Sequence, residues 1–420
     1  MGHDTDANRI VVIGAGQAAS EFAGALRLGG FSGPVLLLGE EEHLPYQRPP
    51  LSKAFLSGEA ALGALQLKSA AAYEKMGVEV RTGARVAAID RSTRRIELED
   101  GRFEPYGKLV LATGGRARPL TVKGAENAGK LLNLHYLRTV ADAARIREAL
   151  RPGLRLVIIG GGYVGLEVAA SARIRGLDVT VLEALPRLLA RVTTGEISAF
   201  YERIHRDAGV AVRTRASVRR IETDPSGSTI VAVHTEDDSI AADLVLAGVG
   251  QIPNVELAER CGLEVDNGII VDEHSRSSDP GIFAIGDCSN HPSPLYKRRI
   301  RLESVPNALG QARAAAATLC ESPRAYDAVP WFWSDQYDLK LQMVGLSQGH
   351  DRVVTRGHPE KRSFIAFYLQ AGRIIAADAV NRPADFLAAK RLVGQLVRIS
   401  DPEQLADESQ PLQSAAHRVN

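Results

Sequence analysis

Two glycine-rich segments, each followed at a distance by a glutamate, are the residues with the clearest chemical potential in this chain. The first segment begins at Gly14 and the second at Gly160. Glu40 and Glu183 follow these glycines by 26 and 23 residues. Glycines let the backbone approach a pyrophosphate closely, and a carboxylate at such a distance can accept hydrogen bonds from ribose hydroxyls. The spacing therefore predicts two dinucleotide-binding sites.

The elements that must position these residues occur twice in the same order. An apolar strand leads into a glycine loop, then a helix, then a second apolar strand that ends at the acid. The loops read GAGQAA and GGGYVG, so Ala19 replaces the third glycine of the first loop. Free N–H groups at the start of each helix favour an anion. Two ordinary βαβ turns without a ligand are the alternative, and the complete order at both places argues against it.

The residues around Glu183 favour NADH over NADPH. The acid is followed by Ala184 and Leu185, so no arginine immediately follows to neutralise a 2′-phosphate, although Arg187 and Arg191 are close in sequence. A protein that binds one hydride carrier needs an internal acceptor, and a flavin at the first loop is the natural one.

Composition excludes several other classes of protein. The 420 residues carry Lys+Arg 51 against Asp+Glu 50, so no global field attracts nucleic acid or an anionic membrane. The three cysteines lie 27 and 32 residues apart, which predicts no metal site, no disulfide framework and no iron–sulfur cluster. The N-terminal stretch resembles no secretory leader, and no apolar run is long enough for a membrane span. We expect a cytoplasmic protein.

Six further segments extend the pattern beyond the two loops. They are LPYQRPPLSK at 44–53, ATG at 112–114, GVGQIPN at 248–254, AIGD at 284–287, RLESV at 301–305 and WFWSDQ at 331–336. Together with the loops they resemble the FAD-dependent NADH:ferredoxin reductases of bacterial oxygenase systems. The resemblance covers roughly residues 9–397, and residues 48–53 and 332–336 are its most specific parts.

This resemblance implies an α/β fold of the glutathione-reductase-like type. It has two Rossmann-like dinucleotide-binding domains and a small α+β C-terminal domain. The implied FAD-binding domain is discontinuous, with residues 1–120 and 251–325. The NAD-binding domain takes residues 121–250, and the C-terminal domain takes residues 326–420.

The resemblance also implies two sets of cofactor contacts. The implied FAD contacts are Gly14, Gly16, Ala18, Glu40, Arg48, Lys53, Val86, Ala112, Thr113, Gly114, Arg138, Gly286, Asp287, Val305 and Trp333. The implied NADH contacts are Gly160, Gly162, Gly165, Glu183 and Gly250.

Lys53 and Glu167 are the predicted catalytic pair. The prolines at 49 and 50 preset the path of the chain into Lys53, and Glu167 lies on the helix that follows the second loop. A lysine held against the flavin ring would stabilise negative charge on the reduced flavin. The resemblance implies that the two residues pair beside the flavin, whereas either one alone is also typical of a solvated helix charge.

Electron counting predicts the direction of transfer. Nicotinamide delivers two electrons as hydride and an iron–sulfur protein accepts one, so a flavin must take the pair and release single electrons. Trp333 resembles the aromatic residue that lies between flavin and docked ferredoxin in relatives; a core or cofactor-lining role is the alternative. A basic face would steer an acidic [2Fe–2S] ferredoxin, with Arg313 and Lys390 placed there by the resemblance. Further candidates are Lys297, Arg298, Arg299 and Arg301.

Three rival functions have different requirements. A cysteine-based oxidase, peroxidase or disulfide reductase needs a cysteine facing the flavin, and no cysteine precedes Cys261. A signalling or scaffold flavoprotein of the apoptosis-inducing-factor type would normally show a targeting segment and a basic nucleic-acid surface. A rubredoxin could replace the ferredoxin as acceptor. These residues do not specify the terminal oxygenase, which is either a cytochrome P-450 monooxygenase or a Rieske dioxygenase. The segment from Phe332 to Tyr337 slightly favours the cytochrome P-450 monooxygenase.

Overall fold

A computed structural model describes residues 8–412, which fold as two compact units. Unit one contains residues 8–47, 63–116 and 252–330, and unit two contains residues 48–62, 117–251 and 331–412. The elements that position the candidate site are β1 (Ile10–Ile13), α1 (Gln17–Leu28), β2 (Arg155–Ile159), α2 (Tyr163–Ile174), α3 (Gly195–Asp207), α4 (Val305–Leu319) and β3 (Trp331–Gln336).

Unit one is built on a five-stranded parallel sheet with β1 at its centre. Its strand order is Ile282–Ala284, Lys108–Leu111, β1, Val35–Leu38 and Val78–Arg81. All four residues of β1 are buried, as expected for a parallel strand covered on both faces. Phe22 and Leu26 of α1 share an apolar cluster with Ala312 and Ala315 of α4, and these small residues let the two helices approach closely.

Smaller elements complete unit one. One small sheet is antiparallel and contains Val86–Asp90, Arg95–Leu98 and Phe103–Pro105. A second small sheet is mixed and contains Ile269–Ile270, Ser289–Ser293 and Arg298–Ile300. The remaining helical segments are Ala70–Lys75, Glu256–Arg260 and the 3₁₀ turn Gly286–Cys288. Three short elements lie where the chain passes from one unit to the other: Leu62–Leu65, Gly115–Ala117 and Gln251–Pro253.

Unit two repeats the parallel design around β2. The strand order is Ala211–Thr214, Asp178–Glu183, β2, Leu244–Ala247 and Leu134–His135. In both units the strand before the glycine loop is central and the strand before the acid is its neighbour. This arrangement opens a crevice at the carboxyl edge of the sheet, where dinucleotides bind in such folds.

The C-terminal part of unit two is antiparallel. Its five strands follow the order β3, Leu339–Gly345, Arg373–Val380, Ser363–Gln370 and Arg352–His358. The other elements of unit two are the strands Arg220–Thr223, Ile230–His234 and Ser239–Ala241, the helices Ala54–Ser57, Val140–Ala149 and Pro383–Gly394, and the 3₁₀ turns Pro49–Ser52, Ala128–Lys130, Pro359–Lys361 and Pro402–Leu405. Within residues 8–412, no helix has both the length and the apolar character needed to cross a bilayer.

The predicted fold class, α/β with two Rossmann-like domains and a smaller α+β part, is confirmed by these sheets. The predicted three-domain boundaries stay a prediction, and their outermost residues, 1–7 and 413–420, lie outside the described chain. Within unit two, one apolar core joins Ile158 and Val181 of the parallel sheet to Leu341 and Phe364 of the C-terminal sheet. The rings of Phe200 and Phe364 meet edge to face at 5.0 Å in this core.

Asp378, in the strand Arg373–Val380, is a carboxyl with almost no access to solvent, at 4% exposure. It accepts hydrogen bonds from the hydroxyls of Thr193 and, at 2.9 Å, Tyr368. Burial nevertheless raises the pKa of this carboxyl to about 6. Because the unfolded chain titrates near pKa ~3.9, the stability that Asp378 contributes is fully present at low pH and is lost as the pH rises through about 6.

We predict that Asp378→Asn raises the unfolding temperature more at pH 8 than at pH 4.5, because asparagine carries no charge that has to be buried. The effect on the unfolding free energy should be larger at pH 8 than at pH 4.5 by about 2 kcal/mol, because pH 4.5 already lies above the pKa of the unfolded carboxyl. Thermal unfolding of both proteins at the two pH values measures it. Burial lowers the pKa of His205 and His291 equally in both proteins, so their contribution cancels. An equal effect at both pH values would contradict the assignment.

Candidate functional site

The first glycine loop leaves the start of α1 open. Gly14 has a φ of +112°, and a β-carbon there would lie 2.2 Å from the carbonyl oxygen of Ala112. Gly16 is the N-cap of α1, and no side chain caps this helix. A β-carbon on Gly16 would meet nothing within 4 Å. The N–H groups of the first turn are therefore available to an anion in an open cradle.

The second glycine loop has the same construction in unit two. Gly160 has a φ of +108°, and a β-carbon there would lie 2.4 Å from the oxygen of Gly248. Gly162 caps α2 without a side-chain hydrogen bond, and its surroundings are open. A β-carbon on Gly165 would approach the oxygen of Gly160 to 2.3 Å, so the third glycine is required for packing. Ala19, at the matching position of the first loop, fits there fully buried.

The two predicted ribose-binding acids differ in their present partners. Glu40 is exposed beyond the strand Val35–Leu38, with Arg85 Nε at 3.6 Å. Glu183 ends its strand and accepts from the N–H groups of Gly161 and Leu185, both at 2.8 Å. This places the Glu183 carboxylate against the second glycine loop, as ribose recognition requires.

Of the two arginines close to Glu183 in sequence, Arg187 is held by other groups of the protein. Arg187 donates at 2.6 Å to Ser198 Oγ and at 3.1 Å to the carbonyls of Thr194 and Ala190. Its guanidinium is thus engaged by the protein. Arg191 lies near Gly250, where a β-carbon would be 3.9 Å from its Nη2. The engagement of Arg187 favours NADH, in agreement with the prediction from sequence.

Unit one gathers further predicted FAD contacts at the carboxyl edge of its sheet. Gly286 and Asp287 form a 3₁₀ turn directly after the strand Ile282–Ala284. Gln311 of α4 holds this turn, because its Oε1 accepts from the Gly286 N–H at 2.7 Å and from Ser289 at 2.8 Å. Sequence reasoning missed Gln311, and a polar residue among the alanines of α4 was the available signal.

The other predicted FAD contacts in unit one are Ala18, Val86, Ala112, Thr113, Gly114 and Val305. Ala112 closes onto Gly14, and Thr113 exchanges hydrogen bonds of 2.7 and 2.9 Å with Asn254, another residue that the sequence reasoning missed. Ala18 and Val86 are buried. Gly114 accepts a backbone bond of 2.9 Å through its carbonyl, and Val305 is the first residue of α4.

Unit two brings Lys53 and Glu167 together. Lys53 Nζ lies 2.8 Å from Glu167 Oε1, and the carboxylate is 4% exposed. Two serines that sequence reasoning did not identify donate to the same carboxylate. Ser52 Oγ is 2.5 Å from Oε2, and Ser334 Oγ is 2.6 Å from Oε1. The predicted pair is thus one half of a four-residue cluster, in which three donors surround one buried acid.

The other predicted FAD contacts of unit two are Arg48, Arg138 and Trp333. Arg48 Nη1 donates to the carbonyl of Arg138 at 2.6 Å. Trp333 lies on β3, with its ring centre 5.6 Å from that of Trp331. The structure therefore divides the predicted FAD contacts between the two units.

The residues present fit two dinucleotides. Each unit offers an uncapped helix start, an open glycine cradle and an acid at the end of the adjacent strand. Among residues 8–412, no group of three or more histidine, cysteine, aspartate or glutamate side chains is arranged to hold a metal ion.

Comparison with protein families identifies the group. The model of the pyridine nucleotide-disulphide oxidoreductase family matches residues 8–312, and the reductase C-terminal model matches residues 331–416. The chain belongs to the pyridine nucleotide-disulphide oxidoreductase family.

Individual relatives of this oxidoreductase are reductases of oxygenase systems. It is 47% identical over 406 residues to putidaredoxin reductase CamA of Pseudomonas putida, covering 96% of each chain. It is 43% identical to the ferredoxin–NAD(+) reductase component of the anthranilate 1,2-dioxygenase system of Burkholderia cepacia, covering 96% of this chain and 97% of the relative. The solved covalent putidaredoxin reductase–putidaredoxin complex matches with a TM-score of 0.94 and 47% identity, over 97% and 98% of the two chains.

These comparisons confirm the family resemblance, the oxidoreductase class and the cofactors predicted from sequence, FAD and NADH. They do not test the individual site residues, whose roles stay predictions. The geometry adds that the oxidoreductase holds its two glycine loops in separate units.

We predict that Glu183→Gln lowers the preference of the oxidoreductase for NADH over NADPH by about tenfold, because a carboxylate both accepts from ribose hydroxyls and repels a 2′-phosphate. The ratio of kcat/KM for the two nucleotides measures this preference. Glu196→Gln, on the exposed side of α3, removes an equal charge elsewhere in unit two and should leave the ratio unchanged. A ratio that Glu183→Gln does not alter would exclude the ribose role.

Proposed function

We propose that this oxidoreductase takes hydride from NADH onto FAD and passes single electrons to a [2Fe–2S] ferredoxin of a bacterial oxygenase system. The observation that carries the proposal is the pair of open glycine cradles, one in each unit, combined with the buried Lys53–Glu167 cluster. Relatives with ferredoxin reductase names support it. A cytoplasmic location belongs to the same proposal.

When bound, FAD supplies a centre that takes two electrons together and returns them one at a time. The chain contributes binding and electrostatics. The open starts of α1 and α2 offer N–H groups to the two pyrophosphates. Lys53 carries a positive charge whose position is fixed by Glu167, and such a charge favours a site that gains electrons. The acids Glu40 and Glu183 orient the nucleotides through their riboses.

Two of the three cysteines are poorly suited to the cysteine-based rival. Burial raises the pKa of Cys288, whose sulfur is fully enclosed, and also that of Cys261. A nucleophilic cysteine requires the opposite shift, because the thiolate is the reactive form. This supports electron transfer without a cysteine intermediate.

Trp333 and a basic face are the proposed contacts of the ferredoxin. Lys390 Nζ lies 4.9 Å from the ring centre of Trp331, which neighbours Trp333, so this cation stands beside the aromatic pair. Arg313 is already paired with Glu21 at 2.6 Å. We therefore assign the larger share of steering toward an acidic ferredoxin surface to Lys390. The terminal oxygenase is a cytochrome P-450 monooxygenase or a Rieske dioxygenase.

The deciding experiment is NADH-driven cytochrome c reduction by the FAD-loaded protein, alone and with a bacterial [2Fe–2S] ferredoxin. We expect strong reduction only when ferredoxin is present, and more from NADH than from NADPH. Stimulation by a rubredoxin and not by the ferredoxin would show that the acceptor is a rubredoxin. Slow flavin reduction by NADH, with no gain from either protein, would overturn the proposal in favour of a signalling or scaffold flavoprotein.

We predict that Trp333→Ala slows ferredoxin reduction by about tenfold, about 1.4 kcal/mol in the barrier, while ferricyanide reduction is retained. A small diffusing oxidant does not depend on one exit residue, whereas a docked protein does. Trp333→Phe keeps an aromatic ring and serves as the matched control. Equal loss with both acceptors would show that Trp333 acts on cofactor binding or reduction instead.

We predict that Lys390→Gln raises the KM for ferredoxin by about two- to fivefold at low ionic strength, and more than Arg313→Gln does, because Arg313 already has an acidic partner. Salt should diminish the effect, since a Debye length is about 8 Å at physiological ionic strength. Steady-state titrations with ferredoxin at two salt concentrations measure it. A larger effect from Arg313→Gln would reverse the assignment.

A further inference from the structure

The Glu167 carboxylate fixes the direction of every hydrogen bond that reaches it. It is buried and lies 2.8 Å from the Lys53 ammonium, and as the carboxylate of this ion pair it can only accept. Ser334 Oγ, 2.6 Å from Oε1, must therefore use its single hydrogen to donate to Glu167. Any other partner of the Ser334 hydroxyl has to donate to it.

This requirement sets the orientation of Gln336. Its amide lies 3.1 Å from Ser334 Oγ, and only the Nε2 end can donate. The Oε1 end then faces away and lies 2.9 Å from His205 Nε2. Ser334 and Gln336 are both on the inward side of β3, at 0% and 1% exposure, so no solvent competes for these bonds.

The same reasoning assigns the hydrogen on His205. An amide oxygen only accepts, so His205 Nε2 must carry a hydrogen. The ring is fully buried on α3, and burial lowers its pKa, which favours the neutral ring with Nδ1 as an acceptor. Nδ1 then accepts from the hydroxyl of Tyr337 at 3.3 Å, and the two rings lie 5.2 Å apart.

We propose that Tyr337, His205, Gln336 and Ser334 form a one-way hydrogen-bond chain whose donors all point toward Glu167, and that these positioning residues hold its carboxylate against Lys53 for flavin reduction. The inference rests on the proposed function. It extends the cluster from a surface-proximal tyrosine through α3 and β3 to the acid on α2. Aligned hydrogen bonds polarise one another in a dry interior, so each link strengthens the next.

Ser52 completes the restraint from the opposite side. It donates to Oε2 at 2.5 Å and directly precedes Lys53, while its carbonyl accepts from Ser171 of α2 at 3.0 Å. Both carboxylate oxygens are thereby held. A polar chain of this length adds little stability over an apolar core of the same shape, so its effect is on the position and charge of Glu167.

The test compares Ser334→Thr with Ser334→Val in the FAD-loaded protein. Both side chains have the same shape, and only threonine keeps the hydroxyl. We expect the rate of flavin reduction by NADH to be about tenfold lower for Val than for Thr, the equivalent of one hydrogen bond to a charged group. The flavin midpoint potential should also fall, because Glu167 loses a donor that offsets its negative charge. Thr355→Val, in the same sheet and outside the chain, should match the parent protein.

A second variant tests the hydrogen bond from Gln336 to Ser334. Gln336→Met removes the donor to Ser334 and should slow flavin reduction by about two- to threefold, in line with loss of a neutral hydrogen bond. Combined with Ser334→Val it should add nothing further, because both act through one carboxylate. Losses that multiply, or equal rates and potentials for Ser334→Thr and Ser334→Val, would overturn the proposal.

These measurements need no ferredoxin, so their failure is separate from failure of the proposed function. A parent protein that reduces no ferredoxin would overturn the proposed acceptor, while the potentials of the variants would still decide the role of the chain.

Discussion

An ionised carboxylate in a nearly solvent-free position is tolerated only when donors surround it, and Glu167 imposes this condition on unit two. It draws an ammonium and two hydroxyls from segments far apart in sequence, 114 to 167 residues from it. The turn at residues 49–52, α2 and β3 must therefore converge on one point. Residues 48–62 therefore belong to unit two, and Arg175, the C-cap of α2, donates to the carbonyl of Leu56 at 3.0 Å.

A second constraint acts in both units at the carboxyl edges of the sheets. A glycine must turn the chain tightly against the next strand, and the helix start must stay free of side chains. Gly14 and Gly160 meet this condition with nearly equal φ values and nearly equal distances to a facing carbonyl. The two loops are thus one structural solution used twice, once for each nucleotide. We expect specificity to arise outside the loops, from Glu40, Glu183 and the turn at Asp287.

Much of this architecture could be predicted from the sequence because it is local. Strand, loop, helix and acid follow one another within about 30 residues, so the glycine loops and the α/β class were readable from spacing. Asn254, Ser52 and Ser334 were not, since each acts on a residue distant in the chain. Gln311 was missed because the turn it holds has no spacing motif that includes a glutamine. The inward serine and glutamine of β3 carried a signal, because polar residues at alternate buried positions of a strand need partners. The packing of the C-terminal sheet into the core of unit two was likewise not readable from local spacing, because it joins segments far apart in the chain.

Arg187 has a consequence for the evolution of coenzyme choice. Its guanidinium holds two backbone carbonyls and the Ser198 hydroxyl in the segment that leads into α3. If the Arg187 side chain turned toward a 2′-phosphate, these oxygen atoms would lose their hydrogen-bond donor, and the segment before α3 would be less well held. We therefore expect a change of preference to NADPH to rely on Arg191 or on a newly acquired cation, for example at Ala184, in addition to the loss of the Glu183 charge. Coenzyme switching would then take two steps, and the first step alone would weaken binding of the old coenzyme before the new one is well bound.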